Sequence, residues 1–149
     1  MHFPLHFNLE GKRVLFVGAG KVNERRIRAL LPSGCSIKVV APDATDTVAE
    51  LARRGALVWI KRPFVPGDLE GVDLAFVAIP EGYSAVVEEA RKRGIPVECA
   101  SSGELGDFIV PAVVRRGDVL VSVSTSGRDP ALSARLKKEI EALLERLGV

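Results

Sequence analysis

Apolar residues fall in short dense runs along the first hundred positions, and stretches of helical spacing separate those runs. The run Arg13-Val14-Leu15-Phe16-Val17 reads as a strand buried on both faces. After it, Val22, Ile27, Leu30 and Leu31 recur at helical spacing until Pro32 and Gly34 stop the helix. The same alternation predicts a second strand from Ile37 to Ala41, a helix from Thr45 to Arg54 closed by Gly55, and a third strand from Ala56 to Ile60. A fourth strand is expected from Leu74 to Ile79, a helix from Ser84 to Arg93 closed by Gly94, and a fifth strand from Ile95 to Ala100. Strands that alternate with helices imply βαβ units, and the right-handed crossover rule turns these into a doubly wound parallel sheet of the Rossmann type.

Beyond Ala100 the rhythm changes. Phe108 to Val114 and Val119 to Ser124 are two β-like runs, joined by Arg115-Arg116-Gly117-Asp118 as a hairpin turn. Asp129-Pro130 then opens a long helix, with aspartate at the N-cap and proline in its first turn. Leu132, Leu136, Ile140, Leu143 and Leu147 draw one narrow apolar stripe along it. Such a stripe either packs back on its own domain or pairs with a second subunit. The pattern divides the chain into a nucleotide-binding domain at 1–107 and a hairpin-plus-helix region at 108–149.

Composition narrows the class. The 149 residues are 47% hydrophobic and 27% charged, which suits a globular protein with a sizeable core. No apolar run reaches the roughly 18 residues of a membrane span, and Met1 to Glu10 has no signal-peptide pattern, so a cytoplasmic protein is expected. Cys35 and Cys99 read as buried free thiols, in keeping with a reducing compartment. The basic clusters, among them Arg25-Arg26-Arg28 and Arg53-Arg54, read mostly as solvated helix faces; with no aromatic interleaving they do not indicate nucleic acid. His2 and His6 have no further ligands at metal spacing and read as surface residues, so no metal site is expected. Trp59 reads as core.

The chemistry sits in Gly18-Ala19-Gly20-Lys21-Val22-Asn23, between a strand and a helix. Gly18 allows the tight turn and Gly20 lets the backbone approach a pyrophosphate, while the helix N-terminus supplies free N–H groups. Asn23 stands where such turns usually have a third glycine or alanine. The second strand ends Val40-Ala41-Pro42-Asp43, which puts Asp43 slightly beyond the usual ribose-binding acid. No arginine follows to hold a 2′-phosphate, so NAD is expected over NADP.

Several segments match one family. Phe3-Pro4 with Phe7 and Leu9, Gly11-Lys12-Arg13-Val14-Leu15, the glycine turn with Glu24-Arg25-Arg26, and Val39-Val40-Ala41-Pro42 all carry the resemblance. So do Phe108-Ile109-Val110-Pro111-Ala112, Ser122-Val123-Ser124-Thr125-Ser126-Gly127 and Asp129-Pro130-Ala131-Leu132. With these, the chain resembles the N-terminal part of siroheme synthase and its stand-alone relatives, the precorrin-2 dehydrogenases, some of which are also sirohydrochlorin ferrochelatases.

The resemblance implies NAD-dependent oxidation of precorrin-2 to sirohydrochlorin by a homodimer whose second region exchanges elements across the interface. It places Gly18, Gly20, Lys21 and Val22 at the cofactor pyrophosphate, and Pro42 with Asp43 near the adenosine ribose. Thr125 and Ser126 would face the tetrapyrrole, and Arg128 and Arg135 would meet its carboxylates. The family's catalytic acid falls at Ser101, so Ser101 itself and Asp107, as a substitute acid, are the catalytic candidates. Longer relatives continue into a further helical region past the position of Val149, so a more open cleft, or one completed by a partner, is expected. The alternative is a family member that binds NAD and tetrapyrrole with weak or no catalysis. A nucleotide-sensing regulatory domain leaves Phe108-Ile109-Val110-Pro111 unexplained.

Overall fold

The computed structural model describes residues 2–149. It separates into one compact unit, Phe3–Phe108, and a second made mainly of Ile109–Val149.

The first unit is a five-stranded parallel sheet in the order β3-β2-β1-β4-β5. Its strands are β1 (Arg13–Val17), β2 (Ser36–Val40), β3 (Val58–Ile60), β4 (Leu74–Val77) and β5 (Val97–Cys99). They alternate with α1 (Lys21–Leu30), α2 (Asp46–Arg53) and α3 (Tyr83–Lys92). Successive strand residues face opposite sides, so β1 divides its side chains between two cores. Val14 and Phe16 pack with Ile27 of α1 and Val48 of α2, whereas Leu15 and Val17 pack with Val86, Val87 and Ala90 of α3. Helices therefore cover both faces, as the dense apolar runs predict. Phe16 stacks on Phe76 with ring centroids 4.7 Å apart, and Phe108 meets Phe76 edge-on at 5.5 Å. Trp59 donates its indole N–H to the Ala41 carbonyl at 2.9 Å.

A short 3₁₀ turn, Pro66–Leu69, precedes β4. In it the buried Asp68 accepts two bonds from Arg62, at 2.7 and 2.9 Å, and one from the Val65 N–H at 2.8 Å. The Arg62 guanidinium holds the Asp68 carboxyl below its ordinary value of 3.8. A depressed carboxyl stabilises the fold above its unfolded value and loses that contribution as pH falls through its folded value. Asp68→Asn is expected to lower Tm by about 5 °C at neutral pH and to flatten acid denaturation below pH 3.8, checked by calorimetry across pH.

The second unit is an antiparallel hairpin, β6 (Ala112–Arg116) and β7 (Val119–Val123), with α4 (Pro130–Arg146) packed across it. The hairpin is tighter than the apolar pattern predicts. Arg116 pairs with Val119, so only Gly117-Asp118 turns, and Gly117 takes a φ of +55°. Arg115 and Arg116 are thus strand residues; their exposed positions let a charged pair extend the ladder. At the other end Phe108–Pro111 forms no strand, because Phe108 is committed to the first unit's core. Asp129 caps α4 through the Leu132 N–H at 2.8 Å. No helix among the described residues is long and apolar enough to cross a membrane, and both cysteines are free.

Candidate nucleotide-binding site

The strand order reverses between β1 and β4, and in open α/β sheets the crevice beyond the strand ends at that point is where ligands bind. The Gly18–Gly20 turn leaves β1 there. Gly18 has a φ of +95°, and a Cβ on it would drive into the Ala78 carbonyl just past β4. Only glycine fits. Gly20, the N-cap of α1, is exposed, has no side-chain cap, and has open space where a Cβ would point. The first turn of α1 thus offers its N–H groups to an incoming anion, with Lys21 beside them. This arrangement fits a dinucleotide pyrophosphate.

Two backbone bonds draw the neighbouring loop to the turn. Gly18 N–H donates to the Val40 carbonyl at 3.0 Å, and Thr45 N–H donates to the Ala19 carbonyl at 3.0 Å. Gly18, Gly20, Lys21, Val22, Pro42 and Asp43 are therefore brought to one edge of the sheet, and all but Gly18 are exposed. Glu24 lies buried behind them, its carboxyl held below the ordinary value by the Thr45 hydroxyl and by Lys21 and Arg28.

Ser101 joins this group. Its hydroxyl donates to the Ile79 carbonyl at 2.6 Å, which ties the loop after β5 to the end of β4. Asp107 does not join it. The loop doubles back, and at the opening of β5 the Asp107 N–H donates to the Val97 carbonyl at 2.7 Å while its carboxylate accepts from the Val97 N–H at 2.9 Å. Ser101 and Asp107 thus stand at opposite ends of one strand, and the Asp107 carboxylate serves as a turn brace beside Arg91 rather than as a substitute acid in the crevice.

Thr125, Ser126, Arg128 and Arg135 cluster around the start of α4 in the second unit. The Thr125 hydroxyl donates to the Asp129 carbonyl at 2.9 Å and accepts from the Asp129 N–H at 3.1 Å. Ser126 is exposed and has a φ of +55°, a left-handed conformation uncommon outside glycine. Arg128 and Arg135 are exposed.

The family model for NAD(P)-binding proteins designated NAD_binding_7 matches residues 5–112. The chain is 32% identical over 145 residues to the precorrin-2 dehydrogenase of Bacillus subtilis, across 95% of this chain and 88% of that one. The solved structure titled SirC, precorrin-2 dehydrogenase superposes with a TM-score of 0.81 at 31% identity, over 95% of this chain and 70% of the other. The chain belongs to the precorrin-2 dehydrogenase family. It is also 37% identical over 142 residues to siroheme synthase of Azotobacter vinelandii, and spans 31% of that longer protein's length. The matched family model is one of NAD(P)-binding proteins, and the glycine turn described above lies within the matched residues.

Two features escaped the sequence pattern. Arg26, grouped above with solvated basic residues, is largely withdrawn from solvent and donates to the buried Glu98 at 2.6 Å. Burial pushes the Glu98 carboxyl above its ordinary value, and Arg26 works against that shift. A single acid inside the apolar run Ile95–Ala100 was the available signal, since a buried carboxylate needs a partner. Asn23 is the second: fully buried, it bonds to the turn itself.

Proposed function

We propose that this protein oxidises precorrin-2 to sirohydrochlorin with NAD⁺ in siroheme biosynthesis. The observation that carries this reading is a bare glycine turn at the switch point of a sheet whose fold follows a precorrin-2 dehydrogenase over 95% of the chain. Bound at the turn, NAD⁺ would accept a hydride, and the macrocycle would release a proton as NADH forms.

Gly18, Gly20, Lys21 and Val22 hold the pyrophosphate, and Pro42 and Asp43 lie beside the adenosine ribose. The segment Ala41–Asp46 contains two aspartates and no basic side chain, which favours NAD over the more negative NADP. Thr125, Ser126, Arg128 and Arg135 are assigned to the tetrapyrrole, a polycarboxylate that arginines suit. Ser101 is a poor base at neutral pH, so its part is to fix the loop that borders the crevice, and water accepts the proton.

A homodimer accompanies this reading. Within Ile109–Val149 only Val114 and Leu144 are buried hydrophobics, too few to hold a hairpin and a 17-residue helix together. Leu132, Leu136 and Leu143 along α4, and Leu147 at its C-cap, stay exposed, and a second copy of the same surface would cover them.

The test is anaerobic incubation of the protein with precorrin-2 and either NAD⁺ or NADP⁺, following reduced nucleotide and sirohydrochlorin together. Turnover with NAD⁺ is expected, and Ser101→Ala should keep kcat within about threefold. A loss of about a hundredfold or more would make the hydroxyl catalytic instead. The absence of a carboxylate at Ser101 favours a second reading, a family member that binds both ligands without turnover. Binding of both by the wild type with no product would select it.

A further inference from the structure

The phosphate-binding turn is held from behind through the protein interior. Asn23, fully buried, donates its amide to the carbonyls of Val17 at 3.1 Å and Gly18 at 2.8 Å. Its Oδ1 accepts from Arg26 at 3.4 Å, and Arg26 donates in turn to Glu98 on β5 at 2.6 Å. The Arg26 guanidinium also lies 5.9 Å from the centre of the Phe76 ring, and Phe76 is the register partner of Glu98.

This chain of contacts is an odd choice for stability. An ion pair taken out of water rarely returns its desolvation cost, and Glu98 Oε2 is buried with no hydrogen-bond partner among the described residues. Its geometry has a clearer use. A trans peptide is planar, so its carbonyl and the next N–H point in opposite directions. Pulling the Gly18 carbonyl back onto Asn23 turns the Ala19 N–H to the side away from Asn23, and that N–H has no backbone partner among the described residues. An alanine or glycine at position 23, the usual occupant, would leave the peptide free to rock.

We propose that Asn23, steadied by the Arg26–Glu98 pair, is a positioning residue that aims the Ala19 amide at the dinucleotide pyrophosphate. The inference rests on the cofactor reading above and adds to it a device that the glycine turn alone lacks. Glu98 links the device to β5, so the strand that leads into the Ser101 loop also steadies the turn.

The test is calorimetric titration of the full chain with NAD⁺, alongside amide NMR of the free protein and its Tm. Asn23→Ala is expected to raise the Kd for NAD⁺ about tenfold and to move the Ala19 amide resonance. Glu98→Ala should raise Kd about fivefold, while Glu98→Gln, whose amide oxygen still accepts from Arg26, should stay within about twofold of wild type. Variants that lower Tm but bind NAD⁺ like wild type, with the Ala19 resonance unmoved, would overturn the inference and leave the network merely structural. Equal loss in Glu98→Gln and Glu98→Ala would also overturn it, because charge rather than positioning would then be at work. A wild-type protein that binds neither NAD⁺ nor NADP⁺ overturns the cofactor reading and this inference together.

Discussion

Gly18→Ala is expected to cost the fold about 3 kcal/mol and to weaken nucleotide binding by a factor on the order of 100. Two effects combine at this position. A φ of +95° is open to glycine and strained for any residue with a Cβ. The added methyl would also strike the Ala78 carbonyl, a backbone atom fixed by β4 and unable to swing aside. Relief requires β1 and β4 to separate at the switch point, and this moves every N–H that faces the ligand. Calorimetry of unfolding and of NAD⁺ binding would measure both effects. Gly20→Ala is the control: its Cβ meets no protein atom, so stability should hold while affinity falls. Equal stability in the two variants would remove the argument from close packing.

Leu136→Glu with Leu143→Glu is expected to convert the proposed dimer into monomers of 16.0 kDa at micromolar concentration. Both leucines are about two-fifths exposed, on a helix whose own unit buries almost nothing else apolar. Two copies would lose the burial of the exposed parts of four leucine side chains, roughly 1 kcal/mol each, or about a 10³-fold weaker association before any charge repulsion is counted. Sedimentation reads the result directly. A wild-type chain already monomeric at that concentration would refute the dimer outright, and a variant that remains dimeric would move the interface to another face. Because Thr125, Ser126, Arg128 and Arg135 lie in the same unit, tetrapyrrole affinity should fall with the dimer while NAD⁺ affinity stays close to wild type.

Most of the architecture was legible in the chain because its determinants are local. A buried parallel strand must be apolar on both faces, so β1 and β4 announce themselves without reference to anything distant. Glycine and proline punctuate the helices, and Gly18 marks a turn whose packing leaves no room for a Cβ. Asp129 and Pro130 set the start of α4 through a bond spanning only three residues. The family, too, is carried by short segments that keep their order along the chain.

What the tertiary structure alone decided are the pairings between residues far apart in sequence. Asp107 lies six residues beyond Ser101, yet the return of the loop puts it at the opposite end of β5, bonded to Val97. Arg26 reads as one more charge on a basic helix until Glu98, 72 residues away, comes to face it. Asn23 reads as a departure from the usual glycine turn until two carbonyls of that turn are found on its amide. Hydrophobic periodicity records which face of an element is buried, and this is a property of the element itself. The partner of a buried polar group is set by which strands and helices become neighbours, and no local spacing encodes that.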